Sequence, residues 1–157
     1  NKNWFAAVQT EKRMMFIILT LIIAVAAFNL VSTLVMTVTD KQGDIAILRT
    51  MGASAGMIQR IFFAQGFMIG ALGTVGGIAL GLLISLNIDV IVPVIEAIFR
   101  VQFLPRDIYF ISSLPSDVRS SDVLTVGFMA FGLSLLATLY PSWRAAKIQP
   151  AHALRYE

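Results

Sequence analysis

Cysteine is absent from all 157 residues, which excludes disulfides and thiolate metal sites. Charged residues make up only 13% of the chain, where soluble domains carry about 25%. Histidine occurs once, as His152 in the tail after Pro150, a place where a lone side chain is solvated far more often than catalytic. There is no GxxxxGK[ST] phosphate loop, so no nucleotide is bound by that route. No long apolar stretch holds an acidic residue, which removes a paired-aspartate intramembrane protease and a carboxylate proton relay. Ser32 and Ser134 have no histidine or lysine beside them in those stretches to activate a nucleophile. The net charge of +3 is small, and no basic block interleaves with aromatics, so nucleic acid is not an expected partner. The sequence therefore predicts no catalytic residue, no metal site and no cofactor of its own.

What the chain has in abundance is apolar length: 57% of its residues are hydrophobic. Crossing a hydrocarbon core of about 30 Å takes roughly 20 apolar residues in a helix rising about 1.5 Å per residue. Uncharged stretches of 25, 27 and 19 residues occur at 14–38, 61–87 and 123–141. A soluble domain of this size could not cover three such helices. The expected fold is an all-α membrane protein with transmembrane helices at 14–38, 57–86 and 122–140. A lead-in at 1–13 precedes them, with Trp4 and Phe5 as interface anchors. A loop of 87–121 and a tail of 141–157 complete the chain. It opens on Asn1, its first apolar run is too long for a signal peptide, and it is expected to be the C-terminal piece of a longer protein.

Two of the spans carry packing signals. Asn29, Thr33 and Thr37 follow one another at i,i+4 on the first, with Ser32 beside them. A polar face inside hydrocarbon needs partners, so it is expected to point at another helix, as packing glue or as a polar spot on a substrate path. The second span carries Gly66, Gly70, Gly73, Gly77 and Gly81 within an arc of roughly 80°. Three of those steps are GxxxG pairs, which let a second helix backbone approach closely. A side chain at Gly73 or Gly77 is expected to force such helices apart. In the loop, a short surface helix is expected at 91–99, an extended stretch at 103–111 and a turn at 114–116. Ser120, Ser121 and Asp122 offer N-caps to the third span, which is expected to stop at Tyr140-Pro141.

Between the first two spans lies a short island of charged and turn-forming residues, DKQGDIAILRTMGA at 40–53. Asp44 sits at a helix start, Ile45, Ile47, Leu48 and Met51 share one broad arc, and Ala46, Arg49 and Thr50 share the other. Gly52 is a natural stop and Ser54 a natural N-cap for the next helix. Either this helix rests in lipid headgroups, apolar side down, or it enters a groove on a soluble partner, with Ile45 and Leu48 as anchors and Arg49 in a charged contact. Charge does not settle the sidedness. Lys41, Arg49, Arg60, Arg144, Lys147 and Arg155 on the island side are matched by Lys2, Lys12, Arg13, Arg100, Arg106 and Arg119 on the other.

VAAFNLVSTLVM at 25–36, DKQGDIAILRTMGA at 40–53, DIYFISSLPSDV at 107–118 and LYPSWRAAKIQPAHALRYE at 139–157 run through nearly the whole chain. In that order they resemble the C-terminal half of FtsX-like ABC permeases and, more narrowly, the lipoprotein-releasing LolC/LolE family. The tail is the more LolC-like and the outer loop the more LolE-like, a mixture that suits a single merged type. The resemblance implies a cytoplasmic coupling helix formed by Asp44, Ile45, Ile47, Leu48, Arg49 and Gly52, docked on an ATPase subunit like LolD that binds ATP and Mg. It implies a small periplasmic loop, a second permease subunit, a lipoprotein substrate held among membrane lipid, and a periplasmic lipoprotein carrier. Met14, Met15 and Phe16 would line the lipid-binding cavity. Two other roles share the fold: a macrolide or peptide exporter, and a non-transporting regulator of cell-wall hydrolases.

Overall fold

A computed structural model describes residues 1–101 and 117–156. Among the described residues six helices follow one another: α1 (Lys2–Asp40), α2 (Gln42–Thr50), α3 (Ala55–Leu86), α4 (Ile88–Phe99), α5 (Ser120–Ala146) and α6 (Pro150–Ala153), the last running into a 3₁₀ turn at Leu154–Tyr156. No strand occurs among the described residues. Three helices, α1, α3 and α5, are long and apolar enough to cross a membrane. The extended stretch and turn expected at 103–116 lie outside the described residues.

The first helix is longer than its apolar run. It begins at Lys2 instead of near Met14, because Lys2–Asp40 contains neither proline nor glycine to break it and Glu11, Lys12 and Arg13 are exposed. Trp4 and Phe5 stack edge-to-face near its start, with ring centroids 5.3 Å apart. The third span also runs on past its expected end. Pro141 lies inside α5, which continues to Ala146. Proline removes one backbone donor, but Pro141, Ser142 and Ala145 are all fully buried, so packing carries the helix through.

The chain divides into two compact units, Asn1–Leu72 with Phe128–Glu157, and Gly73–Gly127. In the first unit the less exposed side of α1 repeats at seven-residue steps, through Thr20, Ala27 and Leu34 and through Ala24, Val31 and Val38. Thr20 reaches Met129 on α5, its hydroxyl 3.6 Å from the sulfur. The polar face does not take this role. Asn29, Ser32 and Thr33 are exposed, on the side of α1 away from that seam. The reason is local: the Ser32, Thr33 and Thr37 hydroxyls donate to the carbonyls of Phe28, Asn29 and Thr33, four residues back, so they need no second helix.

Gly66 and Gly70 of α3 are buried against α5, where Thr138 and Ser134 occupy the space a Cβ would need. Phe67 and Phe131 add an edge-to-face ring contact at 5.5 Å. In the second unit Gly127 of α5 receives the side chain of Ile78. A Cβ added at Gly73, Gly77 or Gly81 would meet no heavy atom within 4 Å, so among the described residues of this chain the glycine stripe meets α5 at its first two members only.

Candidate functional site

The base of the bundle is where four helices converge. Val38 from the end of α1, Ile45 from α2, Ile58 and Phe62 from the start of α3 and Ala145 from the end of α5 form one buried cluster. Ala53 and Ile148 pack against it. Burying each large aliphatic or aromatic member stabilises by about 1.5–3 kcal/mol, enough to fix a nine-residue helix that could not hold its shape alone.

The turn after α2 is closed by backbone geometry. Gly52 has φ +105°, and its N–H donates to the Arg49 carbonyl at 3.2 Å while Ala53 N–H donates to that of Leu48 at 3.0 Å. That pair of bonds is a Schellman motif, which ends the helix on a left-handed residue. The Ser54 hydroxyl then accepts from the Met57 N–H at 3.2 Å and caps α3.

Within α2 the expected apolar arc splits. Ile45 is only 3% exposed and Ala46 is fully buried, so Ile45 belongs to the bundle and does not stand free as an anchor. Ile47, Leu48 and Met51 face outward, 50%, 44% and 79% exposed. Asp44 is exposed and pairs with Lys41 at 3.1 Å, a solvated contact of little energetic weight. Arg49 turns inward: its Nη1 donates to the carbonyls of Ala146 at 3.0 Å and Ile148 at 3.3 Å. No signal within the island announces this bond, because its acceptors are backbone atoms nearly a hundred residues away. The packing of α3 on α5 did leave one: Ser134 and Thr138 repeat on α5 the four-residue spacing of Gly66 and Gly70.

Beyond the cluster, α6 of the tail packs on α2. Lys147 lies 3.8 Å from the Trp143 ring centroid, a cation–π contact beside the Tyr140 ring. His152 is exposed. Met14 and Met15 line an open concavity of about 590 Å³ with Ala6, Ala7, Thr10, Glu11 and Ile18, all from one face of α1. Phe16 does not line it. What these arrangements provide is a packed base with an apolar outward face.

Residues 16–150 match the FtsX-like permease C-terminal family. The chain belongs to the FtsX-like permease family. It is 55% identical over its whole length to the lipoprotein-releasing system transmembrane protein LolC of Neisseria meningitidis, and 50% identical to that of Xylella fastidiosa. It is 47% identical over 98% of its length to the LolE protein of Haemophilus influenzae. In each case it covers 38% of the relative. With three apolar helices and relatives from Gram-negative bacteria, this family member is a multi-pass protein of the inner membrane.

Proposed function

We propose that this chain is the membrane-spanning part of a permease subunit in an ABC complex that releases lipoproteins from the inner membrane. The observation that carries the reading is the division of α2: its inner side is built into the bundle, and its outer side offers Ile47, Leu48 and Met51 to a partner. In this reading α2 is a cytoplasmic coupling helix. Ile47 and Leu48 enter a groove on a separate ATPase subunit, Asp44 marks the polar edge, Ile45 and Arg49 hold the helix in place, and Gly52 sets its end. The subunit itself is non-catalytic. ATP and Mg²⁺ are bound by the ATPase, whose closing displaces α2 and the spans attached to it. A lipoprotein held between two permease subunits among membrane lipid, with Met14 and Met15 on its path, then leaves to a periplasmic carrier and on to the outer membrane.

The test is reconstitution of the full-length subunit with an ABC ATPase subunit from the same organism and a labelled lipoprotein in proteoliposomes. ATP-dependent appearance of the label on the carrier is the expected result. Sustained ATP hydrolysis with no release refutes the lipoprotein assignment, and release of a macrolide or peptide instead would reassign the cargo.

A further inference from the structure

The last carbonyls of any helix lack partners within it, and a cation at that end also meets the negative pole of the helix dipole. At the end of α5 the cation comes from a different helix. Arg49 sends one guanidinium nitrogen across from α2 to the carbonyl of Ala146, the final residue of α5, and to that of Ile148 in the tail. Both segments already share the buried cluster, through Ile45 on one side and Ala145 and Ile148 on the other. Van der Waals packing of that kind resists compression but lets segments slide. A charged pair of hydrogen bonds fixes their register as well.

We propose that Arg49 is a positioning residue that latches α2 to the C-terminal end of α5, so that a displacement of α2 is delivered to the third span. It does this without touching the partner itself. From α5 the displacement passes to α3 through the tight contacts of Thr138 on Gly66 and Ser134 on Gly70. This rests on the reading that α2 receives the push. Arg49 is the element that decides whether the push reaches the membrane or is lost by α2 sliding against the tail. The acceptors are backbone carbonyls, so substitution at 49 is the only side-chain change that removes these two bonds directly.

The experiment uses the full-length subunit in lipid nanodiscs, alone and with the ATPase. In Arg49→Ala, amide hydrogen exchange across residues 147–156 should quicken by about tenfold or more, as expected for the loss of a charged hydrogen bond. Thr50→Ala, on the exposed side of α2, should leave it unchanged. Unaltered exchange in Arg49→Ala overturns the latch whether or not any ATPase binds. With the ATPase, Arg49→Ala should co-purify it at the wild-type level yet release roughly tenfold less lipoprotein per ATP hydrolysed. Loss of co-purification would make Arg49 a partner contact and overturn the proposal, as would undiminished release. Joining Arg49→Cys to Ala146→Cys with a short bismaleimide should restore release, and failure of the bridge to do so counts against transmission by this link. If the wild-type subunit itself binds no ATPase or releases nothing, the functional reading fails separately, and the exchange result still decides the latch.

Discussion

Gly66→Ala tests the close contact of α3 with α5 in the first unit. A Cβ at Gly66 would overlap Cγ2 and Oγ1 of Thr138 and stand 2.8 Å from its Cβ, 0.6 Å short of the 3.4 Å at which ordinary contact begins. Thr138 has no room to yield. It is fully buried, its hydroxyl donates to the Ser134 carbonyl at 2.8 Å, and rotating χ1 can put hydrogen in only one of the two positions that lie too close. The backbones of α3 and α5 must therefore part, loosening Gly70 against Ser134 one turn on. Overpacking of this kind costs about 1–3 kcal/mol, and with no flexible end to give way the upper half of that range is expected. The same change at Gly73, which has open space, should be neutral or stabilising by up to about 1 kcal/mol through helix propensity. Equilibrium unfolding of the purified subunit in mixed micelles, titrated with dodecyl sulfate and followed by tryptophan fluorescence, resolves the difference. Thr138→Gly removes every clashing atom, so the double variant should cost about 2 kcal/mol less than the sum of the singles. Equal effects at Gly66 and Gly73, or strict additivity with Thr138→Gly, would refute the contact.

Leu48→Asp places a charge on the outward face of α2 and should abolish ATPase co-purification while membrane insertion, judged by carbonate extraction, stays intact; normal co-purification would sink the docking role. Gly52→Ala meets no atom within 4 Å, so its cost is purely one of backbone conformation, about 1–2 kcal/mol, and Gly52→Asn should recover part of it in the same unfolding assay. Ile45→Ala empties a place in the buried cluster and should destabilise by about 2–4 kcal/mol, whereas Ile47→Ala, half exposed, should change stability by less than about 0.5 kcal/mol. Equal losses at 45 and 47 would show that the two faces of α2 are not divided as described.

The three long helices were legible because apolar length alone demands them, and so were Gly52 and Ser54, whose backbone and capping needs are local. The points at which the chain departed from expectation have other causes. Pro141 reads as a stop when only its own ring and missing N–H are weighed, yet burial of the surrounding turn outweighs them. Asn29 and its neighbours read as a face in search of a helix, because the sequence does not reveal that three of the four polar side chains are content with their own backbone. Ile45 and Arg49 read as outward-facing because the periodicity of nine residues defines an arc but not which part of it the tail will cover. The polar face of α1 is decided by bonds only four residues back, and Ile45 and Arg49 by contacts distant in sequence.

That last point bears on how α2 is held. A helix this short gains too little from headgroup contact to fix its own orientation, and with Ile45 buried and Arg49 bonded to the tail it cannot roll its apolar arc toward lipid as a unit. Rolling would expose Ile45 at a cost of about 1.5–3 kcal/mol and strand a charged donor, whereas the present orientation leaves Ile47, Leu48 and Met51 outside. The bundle thus uses its own packing to present an apolar trio rather than hide it. A surface of that kind is stabilised only when something covers it, and the same contacts that present it are the ones able to carry a displacement inward, from α2 through Arg49 to the end of α5.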